Sequence, residues 1–146
     1  MRLESFIGKA TLAVDAAGRT NFPKDFRKVL SEENEGQVVV TIGGAHTLAL
    51  YPLSEWNRYV EYLNGLGRGA DVTKFRTRVT AMAKLSTLDA QNRIVLTSEQ
   101  LAYAGIQHEV TFVGAGHCVR LWAPERYETE IAAVTAEEES TFSNWY

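Results

Sequence analysis

Apolar residues fall along this chain in a pattern that runs once and then runs again. Residues 6–14 alternate weakly between apolar and polar side chains and predict a strand. Asp15-Ala16-Ala17-Gly18 predicts a turn, because Asp caps backbone N–H groups and Gly accepts the positive φ of the return. Residues 19–22 then start the second strand of a hairpin. Pro23 suits the first turn of a short helix over 23–30, with Phe26, Val29 and Leu30 as its apolar side. A polar loop over 31–37 leads to the β-branched run at 38–42, a buried strand. Gly43-Gly44 turns the chain and 47–51 is the partner strand. After Pro52, Ser54 is placed to cap a helix whose apolar positions Trp56, Tyr59, Val60 and Leu63 follow helical spacing. Gly65, Gly67 and Gly69 end it. A linker helix near 71–83 carries the stripe Val72, Phe75, Val79, Met82.

The order then repeats. Strand residues lead to a turn at 89–92 and a strand at 93–96. A short helix from Thr97 to about Ala104 has Thr97 and Gln100 at capping-box spacing and is ended by Gly105. A strand at 110–113, a turn at 114–116 and a strand at 118–122 follow, then a helix from Pro124 carrying Tyr127, Ile131 and Val134. Glu137-Glu138-Glu139 and the residues to Tyr146 read as a frayed end with a loose aromatic tip. The echo extends to single residues. Asp15 and Asp89 are each followed four positions later by arginine, Arg19 and Arg93. Val40-Thr41-Ile42 answers Val110-Thr111-Phe112, and His46 with Leu50-Tyr51 answers His117 with Leu121-Trp122.

Such a repeat means two copies of one unit, each reading as hairpin, short helix, hairpin. At 146 residues and 45% apolar content the chain buries a core, whereas a half of about 70 residues is marginal alone. The copies are therefore expected to interlock in a compact β-barrel-like arrangement. The connections leave no room for the crossovers of a doubly wound sheet. The expected division is repeat one over 1–67, a linker helix over 68–83, repeat two over 84–136 and an acidic, aromatic tail over 137–146. The first residues hold no apolar run of signal-peptide length, no stretch is long enough to span a bilayer, and the single cysteine, Cys118, forms no intrachain disulfide. A cytosolic chain is expected.

The net charge of −3 argues against a nucleic-acid partner only when taken globally. Residues 1–30 hold six basic against three acidic side chains, and residues 68–93 hold six against two. Residues 31–67 hold one against five, and residues 94–146 two against eight. Charge acts within a Debye length of roughly 8–10 Å, so its gathering around the two D-x-x-x-R motifs matters more than the sum.

Each motif brings an aspartate at a strand end close to an arginine at the next strand start. Asp15 and Arg19, or Asp89 and Arg93, form a surface ion pair, or the aspartate holds the guanidinium for a phosphate or a guanine edge. The two roles are compatible. Lys9 and Lys84 on the incoming strands, with Lys24, Arg27 and Lys28 after the first motif, are phosphate contacts or solvated charge. The strand at 38–42 and the Trp and Tyr positions are core by their spacing. His46, His108, His117 and Cys118 lack metal-ligand spacing, and His117 and Cys118 point to opposite faces of a strand. No nucleophile set or phosphate-cradling glycine loop is present, so neither an enzyme, a metal site nor a cofactor is expected.

Several segments resemble the MraZ family, which is built from two SpoVT/AbrB-type repeats. They are Phe6-x-Gly8, D-A-A-G-R at 15–19, F-P-K-D-F-R at 22–27, V-T-I at 40–42 and L-Y-P-L-S-E-W at 50–56, then D-A-Q-N-R at 89–93, A-G-I at 104–106 and L-W at 121–122. The second motif departs at Asn92, where the family favours Gly, and Thr97 stands where Pro is frequent. The resemblance implies an α+β, mainly β fold of two interlocked repeats forming a double-split β-barrel with flanking helices. It implies a cytoplasmic, nucleoid-associated regulator, a repressor of division and cell-wall genes. Such a protein assembles into rings and binds tandem promoter repeats in double-stranded DNA through its D-x-x-x-R loops, with no membrane or small-molecule substrate. A ring-forming interaction protein whose loops mediate subunit contacts, and an antitoxin-like module of the same superfamily, remain alternatives.

Overall fold

The structure is a computed structural model that describes residues 5–30 and 34–143. The first copy supplies β1 (Lys9–Ala13), β2 (Arg19–Asn21), α1 (Lys24–Arg27), β3 (Gln37–Ile42) and β4 (Leu48–Pro52). Helices α2 (Leu53–Asn64) and α3 (Ala70–Ala81) lead to the second copy. That copy contains β5 (Lys84–Thr87), β6 (Arg93–Val95), α4 (Ser98–Ala104), β7 (Glu109–Gly114) and β8 (Val119–Trp122). Helix α5 (Pro124–Tyr127), a π-helical turn at Glu128–Ala132 and α6 (Ala136–Phe142) follow.

The strands form two antiparallel sheets, giving a mixed α+β fold. One has the order β1-β7-β8-β4-β3-β5, and the other is the ribbon β2-β6. Exchanging the two copies reverses the first order and leaves the second unchanged, so the copies are related by an approximate two-fold. The outer strand of each copy is given away: β1 pairs with β7, and β5 pairs with β3. The predicted hairpin of residues 6–14 with 19–22 is thereby corrected, as is its counterpart around the second motif. The chain does reverse at 15–19, where the Asp15 N–H donates to the Arg19 carbonyl at 3.0 Å, but Val14 donates to His108 at 2.8 Å. Turn chemistry is local and strand partnership is not. A copy too small to bury its own apolar face gains more by packing that face on the other copy. The hairpins β3–β4 and β7–β8 form as expected.

One face of the large sheet packs Val40, Leu50, Phe112 and Leu121 into the core with no exposure. The ribbon closes over that core with Thr20 and Ile94, both buried, beside the phenylalanine cluster in which Phe22 meets Phe26 and Phe112 at 6.1 and 6.3 Å. The opposite face carries Ala49, Tyr51 and Cys118, packed under Trp56 and Tyr59 of α2. Val79 of α3 is fully buried, and its carbonyl accepts from Thr41 Oγ1 at 2.6 Å. Tyr62 is 62% exposed, so the aromatic positions are not uniformly core. Gln100 of α4 ties the copies together: its Nε2 donates to the carbonyls of Val40 and Met82, each at 2.9 Å.

Several helix expectations change. The helix over 23–30 is a single turn, Lys24–Arg27, because Phe26 alone needs it; Val29 and Leu30 reach the core from the turn that follows. Ser54 does not cap α2. Pro52 takes the cap position, and Asn34 Oδ1 accepts the Ser54 N–H at 2.8 Å. Beyond α5 the stripe of Ile131 and Val134 is 40% exposed at each residue, and the helix widens into a π turn instead of continuing. The glutamates at 137–139 are not frayed but open α6, whose Thr135 Oγ1 accepts the Glu138 N–H at 3.1 Å; acidic residues there complement the helix dipole. The aromatic tip at 145–146 lies outside the described residues. The capping box at Thr97 and Gln100 forms as read, with Gly105 left-handed behind α4.

Candidate nucleic-acid interface

The two D-x-x-x-R segments fold into the same object. Asp15 Oδ1 accepts the N–H groups of Ala17 and Arg19, both at 2.9 Å, while its Oδ2 accepts Arg19 Nε at 2.7 Å. Asp89 Oδ1 accepts the N–H groups of Gln91 and Arg93, both at 2.9 Å, and its Oδ2 accepts Arg93 Nε at 2.8 Å. One carboxylate oxygen shapes the turn and the other grips the guanidinium. The terminal nitrogens of both arginines are left without a hydrogen-bond partner among the described residues.

Positive φ is required at the fourth residue of each loop. Gly18 supplies it at 81°, and Asn92 at 59°. Asn is among the side-chain residues that tolerate this region best. The departure from Gly therefore leaves the second turn intact.

The backbone N–H of the arginine holds each aspartate below the usual carboxylate range. Desolvation opposes this, and the arginine's side-chain hydrogen bond, the N–H of Ala17 or Gln91 and the arginine's charge together carry the balance downward. With a lowered folded value, the loop's carboxylate contribution is complete above the ordinary pKa of roughly 3.9 and is lost only as pH falls through the lowered value.

The ribbon decides where these arginines point. Its register is Arg19 opposite Val95, Thr20 opposite Ile94 and Asn21 opposite Arg93. Residues opposed in an antiparallel pair share a face, and alternate residues change face. Thr20 and Ile94 are buried, so Arg19, Asn21, Arg93 and Val95 form the outward face. Diagonal neighbours across such a pair lie roughly 7–8 Å apart, which is the spacing of the Arg19 and Arg93 backbones. Arg19 has 46% of its side chain exposed and Arg93 31%, so the first arginine is the freer of the two.

The basic residues read from the sequence do not all gather here. Lys24 opens α1, exposed and three residues beyond Asn21, next to the point where the Phe22 N–H donates to the Asn92 carbonyl at 2.9 Å. It therefore flanks the second loop, not the first. Arg27 is half-buried, with its Nε enclosed and without a hydrogen-bond partner among the described residues, and Lys28 is occupied by Asp25 at 3.8 Å. Lys9 and Lys84 begin β1 and β5, six and five residues before their aspartates. At a strand rise of about 3.3 Å that is roughly 16–20 Å from the arginine loops, beyond a Debye length. Lys9 instead places its ammonium 5.4 Å from the centre of the Tyr127 ring. Asn21 and Val95 went unremarked in the sequence. The available signal was the period of two that carries the outward face from Arg19 to Asn21 and from Arg93 to Val95.

Among the described residues no cluster of three metal-ligating side chains occurs, and no helix is long and apolar enough to cross a membrane.

Comparison with known proteins agrees with the duplication. A model of the MraZ protein family, described as putative antitoxin-like, matches the chain twice, over residues 5–77 and 80–143. The chain is 35% identical over 133 residues to the transcriptional regulator MraZ of Thermomicrobium roseum, covering 90% of this chain and 91% of that protein. It is 33% identical over 139 residues to the transcriptional regulator MraZ of a Parafrankia species, covering 94% and 92%. With the Neisseria meningitidis protein of the same name it shares 30% over 129 residues, covering 86% and 85%.

Proposed function

The chain belongs to the MraZ family of transcriptional regulators, which are not enzymes, and on that footing we propose that it regulates transcription by laying its β2–β6 ribbon in the major groove of DNA. One observation carries this: two arginines, each gripped at Nε by its own aspartate, face outward from a single ribbon with their terminal nitrogens free among the described residues. The major groove, roughly 12 Å wide, admits a two-stranded ribbon, and an arginine presenting paired N–H groups matches the O6 and N7 of guanine. Backbones roughly 7–8 Å apart correspond to about two base-pair steps of 3.4 Å. Asp15 and Asp89 pre-set the pose, so little side-chain freedom is lost on binding.

Lys24 supplies a phosphate contact beside the ribbon, and Lys9 and Lys84 stand outside that footprint. The ribbon and the six-stranded sheet are read as the two parts of a double-split barrel. The targets are tandem repeats upstream of the chain's own operon in the division and cell-wall cluster, with repression as the outcome and the nucleoid-bearing cytoplasm as the location.

A ribbon spanning so few base pairs requires several copies acting together, because linked sites multiply through effective concentration. Self-association into a ring is therefore part of the proposal, supported by the sheet edges β1 and β5, unpaired among the described residues, and by the exposed Phe75 and Leu85. A loop serving only subunit contact gains nothing from free guanidinium nitrogens, which favours the DNA reader over the interaction protein. The test is a gel-shift with the chain's own upstream DNA, together with light scattering. Specific retention by an oligomer supports the proposal. No retention, or a monomeric mass at micromolar concentration, overturns it.

A further inference from the structure

The approximate two-fold that relates the copies makes the arginines of the ribbon equivalent but not their companions. Exchanging the copies sends Arg19 to Arg93, and it sends Asn21 to Val95. Arg19 therefore stands directly opposite an apolar side chain, and Arg93 directly opposite an amide. Directly opposed residues bring their Cβ atoms to roughly 4.5–5.5 Å, close enough for each pair to address adjacent base edges. Both companions are free to do so. Val95 is 44% exposed, and Asn21 is exposed with no hydrogen bond to its side chain among the described residues.

We propose that Asn21 and Val95 are specificity-determining residues that give the ribbon a polarity on DNA; this rests on the ribbon being the DNA-reading surface. At one end Arg93 takes a guanine while the Asn21 amide donates to N7 and accepts from N6 of a neighbouring adenine. At the other end Arg19 takes a guanine while Val95 packs on the methyl group of a thymine. A ribbon with identical ends prefers a site with inverted symmetry, because a palindromic site mirrors a two-fold protein. Unlike ends prefer a site that reads in one direction. A row of such ribbons in one orientation then matches direct repeats rather than palindromes.

The experiment is selection of duplexes with a randomised core by the full-length protein, followed by sequencing, for wild type, Asn21→Ala, Val95→Asn and Arg19→Ala. All three substituted positions are on the outward face, and circular dichroism and thermal melting check that each variant is folded. Wild type is expected to enrich cores without inverted symmetry. Asn21→Ala is expected to lose its preference at one base-pair position by about 5- to 100-fold, with binding to random duplex unchanged. Val95→Asn makes the two ends alike and is expected to move the enriched cores toward inverted symmetry. If wild type enriches a core and Arg19→Ala loses it, while Asn21→Ala and Val95→Asn keep the wild-type core, the polarity assignment is overturned and the ribbon reading stands. If wild type enriches nothing, or Arg19→Ala enriches the wild-type core unchanged, both are overturned.

Discussion

The Leu96 N–H donates to the Gly18 carbonyl at 2.8 Å, and the Leu96 carbonyl oxygen occupies the place where a side chain on Gly18 would begin. The first arginine loop is thereby fastened to the second copy by backbone alone. Only glycine fits: φ is 81°, and any Cβ meets that carbonyl. Gly18→Ala is expected to destabilise the protein by more than the about 1–2 kcal/mol that left-handed backbone costs an ordinary residue. Asn92→Ala, which meets the backbone cost alone, is expected to lose less. Urea denaturation of the two variants checks the ranking.

Gln100 tests the interlock from inside the core. It is fully buried, donates to the carbonyls of Val40 in β3 of the first copy and of Met82 at the end of α3, and accepts the Thr97 N–H at 3.0 Å. Gln100→Ala strands those carbonyls and opens the capping box, with an expected loss of about 2–3 kcal/mol. Chemical denaturation is expected to show one transition shifted to lower denaturant. Two separated transitions would mean that the copies fold independently.

The carboxylates that set the arginine poses titrate below the ordinary range, so they remain charged throughout the neutral pH range. At constant salt, the loop geometry is therefore expected to leave DNA affinity unchanged on lowering pH until the lowered values are approached. Asp15→Asn keeps an oxygen for the backbone turn but no longer attracts Arg19 Nε. It is expected to weaken operator binding by about tenfold, a loss typical of one charge-assisted hydrogen bond, with only a small drop in the thermal melt because the pair is exposed. Fluorescence anisotropy across pH and for this variant checks both.

Salt dependence separates contacts from distant charge. The slope of log K against log salt is expected to approach about −0.9 for each phosphate contacted, summed over the engaged copies. Lys24→Ala is expected to flatten it by about one unit per copy and to weaken all sequences alike. Lys9→Ala and Lys84→Ala are expected to leave it nearly unchanged, because their strands carry them away from the loops. A flattening by the latter pair in place of Lys24 would move the DNA to another face.

The sequence shows what is written in neighbouring residues. The duplicated Asp–Arg turns and the Thr97–Gln100 capping box each depend on side chains within four positions of one another, and each formed as read. Long-range pairings left no such trace. Nothing local states that β1 passes over β2 to join β7, or that Asn34 reaches the Ser54 N–H from twenty residues away. The outward placement of Asn21 and Val95 depends on the same missing fact. Alternation along three residues fixes a face only once the β2–β6 pairing says which side is core.

The ribbon arginines carry the central claim, and their removal tests it most directly. Arg19→Ala and Arg93→Ala are each titrated against the chain's own upstream duplex, with light scattering and thermal melting alongside. Both side chains are partly solvent-exposed and, among the described residues, partnered only by their own aspartates, so fold and assembly are expected to survive. Arg19→Ala is expected to abolish most operator binding, and Arg93→Ala, the less exposed of the two, to cost less. Wild-type affinity in both folded variants would contradict the ribbon as the surface that reads DNA.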